Sequence, residues 1–176
     1  DKEVGLSLDQ PALLDAAMKQ QYHTSVGILP SGVHYGTLVG ALQTKWGVFA
    51  PYVRYMNYGD FNQTNAEGQL LGTFNALDYN IGTSYAYAPN PYFRLGAQFN
   101  ILGSHLERFS AFGLSTNLSA LLIHPKELFV ATIGLRNAGL ILKDYTPQAA
   151  SKLPLDIYAG VSYRLAHAPF RFHLIG

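Results

Sequence analysis

Apolar and polar residues alternate without interruption from Leu155 to Leu165. The apolar positions are Leu155, Ile157, Ala159, Val161, Tyr163 and Leu165. A period of two is typical of a β-strand, whose successive side chains point to opposite faces. An ordinary strand has about five or six residues, whereas a tilted strand that crosses a bilayer needs about 9–11. The length of this segment therefore predicts a membrane-spanning strand.

The same period recurs along most of the chain, beginning at Tyr22. It predicts about nine antiparallel strands within residues 22–176. These cover residues 22–28, 33–41, 46–58, 77–87, 93–101, 114–122, 129–136, 155–165 and 170–175. Pro51 conflicts with the third, because proline cannot donate to a central ladder. Since non-helical spans must form closed barrels, the fold class we predict is an all-β membrane protein, an antiparallel transmembrane β-barrel.

Residues 1–21 do not alternate and form a separate N-terminal segment. We predict a short helix over residues 10–19, because Pro11 suits a first helical turn and Lys19 suits a last one. Residues 20–44 carry no charge, but Pro30 and several glycines favour a strand hairpin there over a transmembrane helix.

The predicted connections alternate in length, with tight turns after strands two, four, six and eight and longer segments after three, five and seven. This is typical of outer-membrane barrels, whose periplasmic turns are short and extracellular loops long. Two predicted loops, at residues 59–72 and 139–154, mix polar and large apolar residues, which suits either a surface partner or packing over the barrel mouth. The candidate partner-binding residues are Asp60, Phe61, Gln63, Asn65, Glu67, Leu70, Leu71, Leu140, Ile141, Lys143 and Tyr145.

Polar and charged residues of the strands fall opposite the apolar face. We predict that Arg54, Asp78, Arg94, Gln98, Arg136, Asp156 and Arg164 face the lumen. Arginine on the lipid side at the bilayer midplane costs about 2–4 kcal/mol, which turns such residues inward. They pair with one another, or else line a pore or bind an anion. A soluble lipocalin-like binder would instead point its charges outward to water.

Composition narrows the function. Charged residues make up 13% of the 176 residues, against roughly 25% in an average soluble domain. A net charge of +1 without a basic cluster gives no reason to expect nucleic-acid binding. The chain has no Cys, its six His show no ligand spacing, and Ser115 lacks the setting of a nucleophile elbow. We therefore expect neither an enzyme nor a cofactor or metal site.

Four segments carry a resemblance to a known family. They are Leu165–Phe172 (LAHAPFRF), Tyr55–Phe61 (YMNYGDF), Leu135–Gly139 (LRNAG) and Gln10–Leu14 (QPALL). Together they resemble the PorQ family of the type IX secretion system. The last segment is also similar to the Asn-Pro-Ala plug motif of FadL-like barrels, with Gln10 in place of the usual Asn.

The resemblance implies a 14-stranded FadL-like barrel in the outer membrane of a Gram-negative bacterium, with the N-terminal segment as a plug. It implies a non-enzymatic anchor in the attachment complex, which holds a PorZ-like surface subunit beside PorV- and PorU-like subunits and lipopolysaccharide. On this interpretation the chain is the N-terminal part of a longer protein, with roughly five further strands. The alternative function is an outer-membrane channel or transporter for hydrophobic small molecules.

Overall fold

The computed structural model describes residues 3–30, 32–126, 128–146, 148, 151–165 and 170–176. Ten antiparallel strands form one sheet within this part of the chain. They are β1 Tyr22–Ile28, β2 His34–Gly40, β3 Leu42–Thr44, β4 Gly47–Thr64, β5 Leu70–Asn90, β6 Phe93–Leu106, β7 Phe109–Ile123, β8 Phe129–Lys143, β9 Asp156–Arg164 and β10 Arg171–Ile175. The prediction of an antiparallel β architecture is confirmed.

The strands follow one another in the sheet in chain order, except that short β3 pairs with the first residues of β4. Strands β1 and β10 form the two edges, and the described residues give no pairing between them. The sheet is therefore open and is not closed into a barrel. The predicted turn over residues 166–169 lies outside the described residues.

The N-terminal segment contains three short 3-10 helices, Val4–Leu8, Pro11–Leu13 and Ala16–Met18. The predicted single helix over residues 10–19 is therefore wrong. Its interruption lies at Leu14 and Asp15, whose backbones are extended, and the Asp15 carboxylate accepts a hydrogen bond from the Ala17 N–H instead. No helix among the described residues has the length and apolar character needed to cross a membrane.

Apolar residues of the N-terminal segment pack on one face of the sheet. Val4, Leu8, Leu14 and Met18 form a buried cluster with residues of β2, β4 and β5. The strand residues of this cluster and its neighbouring turn are Val39, Ala41, Val48, Ala50, Tyr52 and Ala86. We call the face that carries the N-terminal segment the inner face and the opposite one the outer face.

The predicted loop over residues 59–72 is mostly strand. Strands β4 and β5 pair from Asp60–Asn75 to Thr64–Leu70, which leaves only residues 65–69 as a turn. Pairing between the two strands satisfies their backbone groups without a regular apolar alternation. The signal was missed because Gly59, at φ +83°, lies in a register shift that interrupts the pattern. We call residues 58–75 the long hairpin.

The predicted alternation of loop lengths is also only partly correct. Strand β8 continues to Lys143, so Leu140 and Ile141 lie in a strand and the long connection covers residues 144–155. The connection between β6 and β7 is a tight turn of Glu107 and Arg108, in which Glu107 has φ +54°. The end of the sheet that carries the long hairpin therefore differs from the other end more in the length of its strands than in the length of its loops.

The outer face is apolar and exposed. Val26 and Ile157, at opposite sides of the sheet, are 72% and 70% exposed. Equivalent residues of the intervening strands are Leu38, Val53, Ile81, Phe99, Leu118 and Ile133. One part of the outer face lies below the long hairpin. It extends up to Asn57 in β4, from Leu77 in β5 and up to Leu142 in β8. The outward positions of the described strands in this part contain no Asp, Glu, Lys or Arg. We call this surface the outer band.

One strand departs from the predicted distribution of faces. In β2, the more apolar of the two alternating sets of residues faces inward. Val39, at the end of this set, and Ala41, which follows the strand, pack against the N-terminal segment. Leu38 faces outward. The inner face is not polar throughout, because the N-terminal segment that packs on it is itself apolar. Hydrophobicity alone therefore assigns the more apolar residues of β2 to the outer face, which is wrong.

Tyrosine rings cover glycines on neighbouring strands. Tyr55 lies over Gly36, Tyr79 over Gly103 and Tyr158 over Gly134. Each pair is directly opposed across the ladder. A Cβ at these glycines would lie under 3.0 Å from the ring, so glycine provides the space that the ring fills. These pairs account for part of the chain's twelve Tyr and seventeen Gly.

Candidate functional site

The inner face holds the N-terminal segment through its polar side chains. Arg94 on β6 pairs with Asp15 at 2.6 Å and donates to the Leu13 carbonyl at 3.3 Å. Two further contacts join the backbone of the segment to β6 and β7: Gln98 donates to the Leu8 carbonyl, and the Ala12 N–H donates to the Ser119 hydroxyl. Arg94 and Gln98, two of the predicted lumen residues, lie on the inner face, and their partners here are in residues 1–21.

A network of amide and hydroxyl groups continues from Gln98 along the inner face. Tyr52 donates to Asn100, and Gln98 donates to the Tyr52 oxygen at 2.9 Å. Asn117 donates to Gln98 at 2.6 Å and accepts from the Asn137 N–H at 2.8 Å. The network borders a polar cavity of about 320 Å³, the lower chamber, which lies beside Leu8 and Asp9.

Most predicted lumen charges are paired. Arg54 contacts Asp9 at 3.3 Å, and Arg136 contacts Asp156 at 3.8 Å while its guanidinium lies 4.1 Å from the centre of the Tyr158 ring. The alternation of β9 places Arg164 on the same face as Asp156, and its side chain is exposed. Pairing therefore explains Arg54, Arg94 and Arg136 without a pore or a bound anion.

A second cavity, of about 610 Å³, lies farther along the inner face, beyond the N-terminal segment. We call it the upper chamber. Its lining is mostly apolar and includes Met56, Leu102, Ala111, Ile141 and Leu153, with Tyr35 and Tyr145 as aromatic residues. Arg54 and Asn80 line both chambers, so the polar lower chamber is adjacent to the apolar upper one.

Asp78 is the half-buried carboxylate of the upper chamber. It accepts hydrogen bonds from the Tyr58 hydroxyl at 2.7 Å and from the Ser104 hydroxyl. The Tyr145 hydroxyl donates in turn to Ser104, which links the connection after β8 to Asp78. Asp78, another predicted lumen residue, lies on the inner face, and its partners are hydroxyl groups instead of an arginine.

The connection after β8 is held by its own carboxylate. Asp144 accepts hydrogen bonds from the Ser151 N–H at 2.7 Å, the Ser151 hydroxyl at 3.1 Å and the Tyr145 N–H at 2.9 Å. These donors, chiefly the Ser151 N–H, favour the charged form and lower the pKa of Asp144. The carboxylate thereby fixes the segment that carries Tyr145 over the upper chamber.

The long hairpin brings together most of the predicted partner-binding residues. Phe61 stacks on Phe74 with ring centroids 5.4 Å apart, and Leu70 and Leu71 are exposed beside the turn. Asn65 closes the turn by accepting from the Glu67 and Gln69 N–H groups, and Gln63 contacts Glu107. Asp60 lies at the base of this extension, opposite Asn75.

The remaining predicted partner residues are divided between other sites. Leu140 faces outward, opposite Leu114, whereas Ile141 and Tyr145 line the upper chamber. Lys143 donates to the Ser110 hydroxyl at 2.7 Å. The residues of the second predicted loop are thus divided between the two faces, because β8 continues as a strand and sends alternate residues to opposite faces.

Sequence reasoning did not identify Tyr58 and Ser104 as partners of Asp78, or Asn100 and Asn117 as part of the inner network. Their inward direction follows from the period of two, but their contacts depend on register between strands. No group of three or more His, Cys, Asp or Glu that could hold a metal ion occurs among the described residues.

Comparison with known proteins adds no further information on the site. No protein-family model matches the chain. Neither a curated protein nor a solved structure matches it.

Proposed function

We propose that the sheet is part of the wall of an outer-membrane β-barrel, with the outer band against lipid and the N-terminal segment as a plug in the lumen. The observation that carries this proposal is that apolar residues are exposed and polar residues are covered, the opposite of the arrangement in a soluble protein. Large apolar residues of the outer band are exposed, while Arg94 and Gln98 are covered by the N-terminal segment. In water such an apolar surface favours aggregation, whereas in a bilayer it is the stable arrangement.

Strand length supports the same proposal. Strands β4 to β8 have 14 to 21 residues, more than the roughly 9–11 that a tilted span requires. The long hairpin extends beyond the outer band by about 20 Å, at about 3.4 Å per residue. A barrel of this class would place it in the aqueous phase outside the cell.

The open edges β1 and β10 require additional pairing in a bilayer, because an unpaired backbone group in hydrocarbon costs several kcal/mol. We propose that further strands complete the barrel to the 14 that the PorQ and FadL-like resemblance implies. Extraction tests the membrane assignment: the chain should remain with membranes after carbonate washing and dissolve only in detergent. Recovery as a monomer in plain buffer would contradict it.

For function, we propose a non-enzymatic anchor of the type IX attachment complex that holds a PorZ-like surface subunit at the long hairpin, with PorV- and PorU-like subunits beside it. Support comes from the resemblance and from Phe61, Leu70 and Leu71, apolar residues exposed beyond the outer band. Such residues are costly in water unless a partner covers them.

A paired substitution at the hairpin tests the anchor. The variant Leu70→Asp with Leu71→Asp should lose a stoichiometric surface subunit when the complex is isolated from outer membranes in mild detergent. The matched control Ala66→Asp adds a charge to the exposed turn and should keep the subunit. Retention in both variants would contradict docking at the hairpin.

A channel or transporter for hydrophobic small molecules is the second candidate. The upper chamber favours it, since about 610 Å³ with mostly apolar lining is in the usual range for small-molecule sites. Saturable uptake of a lipophilic solute, without any copurifying subunit, would support the transporter over the anchor.

A further inference from the structure

We infer that the upper chamber binds an amphipathic amine, whose ammonium group contacts Asp78 and whose apolar part lies against Met56, Leu102 and Ile141. The inference depends on the geometry of the chamber and is independent of any surface partner. The chamber has the volume and the apolar lining of a ligand site, and it contains a carboxylate that no cation neutralises in the described residues.

The hydrogen bonds at Asp78 orient its carboxyl group. Both of its partners, the Tyr58 and Ser104 hydroxyls, donate, one to each carboxylate oxygen. Each oxygen retains further lone pairs. Asp78 therefore offers an acceptor, oriented by two neighbours, for an additional donor.

The other charges around the chamber do not satisfy Asp78. Arg54 lines the same cavity, but its guanidinium pairs with Asp9 at 3.3 Å. Asp144 also lines the cavity and accepts from the Ser151 and Tyr145 N–H groups. Lys143 donates to Ser110. The lining thus contains one paired cation and two carboxylates, a balance that favours a cationic ligand over an anionic one.

The apolar and aromatic residues that line the chamber determine the chemical character of the ligand beyond its ammonium group. Tyr35 and Tyr145 present rings, which attract ammonium groups through their faces, and Met56 adapts to irregular apolar shapes. A charged N–H donor at a carboxylate forms a short, strong hydrogen bond. A primary amine with a short alkyl or aryl chain matches both parts.

The geometry also connects the ligand to the segment after β8. Tyr145 donates to Ser104, which donates to Asp78, so an ammonium at Asp78 lies at the end of a hydrogen-bonded chain from this segment. Leu153 of the same segment lines the chamber. Occupancy should therefore slow amide exchange at Tyr145 and Ser151.

The test compares three probes of equal chain length, hexylamine, hexanol and hexanoate, with the full chain in phosphatidylcholine nanodiscs. Titration calorimetry is corrected with empty nanodiscs, which removes partitioning into lipid. Hexylamine should bind at least about tenfold more tightly than hexanol, the difference expected for a charge-assisted hydrogen bond. Hexanoate should bind no better than hexanol.

Two substitutions locate the site. Asp78→Asn keeps the shape and removes the charge, so the preference for hexylamine over hexanol should disappear. Glu107→Gln removes an exposed carboxylate of the turn between β6 and β7 and should leave the preference unchanged. Equal or tighter binding of hexanoate by the unmodified chain, or no binding of hexylamine, would overturn the inference, and neither result depends on the folding of a variant.

Discussion

The two faces of this sheet come from the same strands and have opposite chemistry. On β7, Leu118 faces outward and is exposed, while its neighbour Asn117 faces inward and is bonded to Gln98 and Asn137. In a soluble sandwich the outward residue would be the polar one. This reversal is what the proposed membrane assignment requires, and each prediction below changes one face while a matched change leaves the other intact.

The largest effect is expected from a charge in the outer band. Leu118→Arg should lower the free energy of unfolding in lipid vesicles by about 2–4 kcal/mol, the cost of arginine at the bilayer midplane. Gln69→Arg, in the turn of the long hairpin, should change it by less than about 0.5 kcal/mol, as is usual for exposed positions. Urea titration of refolded protein measures both. If Leu118→Arg were neutral, Leu118 would face water.

On the inner face, removing Asp15 should free the N-terminal segment. Asp15→Ala leaves Arg94 without its partner, and the loss should be about 2 kcal/mol, less than for a fully buried pair because the two side chains remain 22% and 15% exposed. Asp9→Ala breaks a pair in which Asp9 is 74% exposed, and should cost under about 1 kcal/mol. Equal effects in urea titrations would contradict a larger contribution from the more buried Arg94–Asp15 pair.

Substitution of one glycine on each face tests how tightly that face is packed. A Cβ at Gly96 would lie 2.1 Å from the Ala12 nitrogen and 2.3 Å from the Pro11 carbonyl carbon, so Gly96→Ala should displace the segment and cost about 1–2 kcal/mol. The three atoms nearest to a Cβ at Gly103 all belong to the Tyr79 side chain on the outer face.

If the outer face contacts lipid, as proposed, the Tyr79 ring has room to shift, and Gly103→Ala should cost less than Gly96→Ala. Protease susceptibility of residues 3–21 measures the displacement, and it should rise only in Gly96→Ala. A rise in both variants would mean that the outer face is as confined as the inner one.

The smallest effect concerns the rim of the upper chamber. The pKa of Asp144 is lowered, so its hydrogen bonds stabilise the segment fully above the ordinary carboxyl value of 3.8 and are lost as the pH falls through the lowered value. The Ser151 amide resonance should therefore shift only below pH 3.8. Asp144→Asn should abolish this titration, and a midpoint above 3.8 would contradict the hydrogen bonds.

The sequence predicts much of the sheet because its outer band alternates so regularly. The inward direction of Arg94, Gln98 and Asp78 follows from that alternation alone. The partners do not: Arg94 contacts Asp15 across 79 residues, and no local pattern encodes such a pairing. Tyr–Gly pairs such as Tyr79 with Gly103 likewise depend on strand register. The high content of Tyr and Gly suggests that such pairs exist but does not identify them.

The errors have physical causes as well. Residues 59–72 look like a loop because they are mostly polar, but their backbones pair as a hairpin, which needs no regular apolar alternation. Val39 and Ala41 look like outer-face residues because the N-terminal segment they pack against is apolar. In both cases the local environment differs from the one that the rest of the sheet experiences.

The most direct measurement compares Val53 and Met56, residues of β4 on the outer and inner faces that are 41% and 36% exposed. The chain has no native Cys, so single cysteines at these positions take a nitroxide label without background. In vesicles, the label at residue 53 should collide with oxygen and be shielded from a water-soluble nickel chelate, and the label at residue 56 should show the reverse preference. Equal access of the nickel chelate to both labels would contradict a lipid-facing outer band.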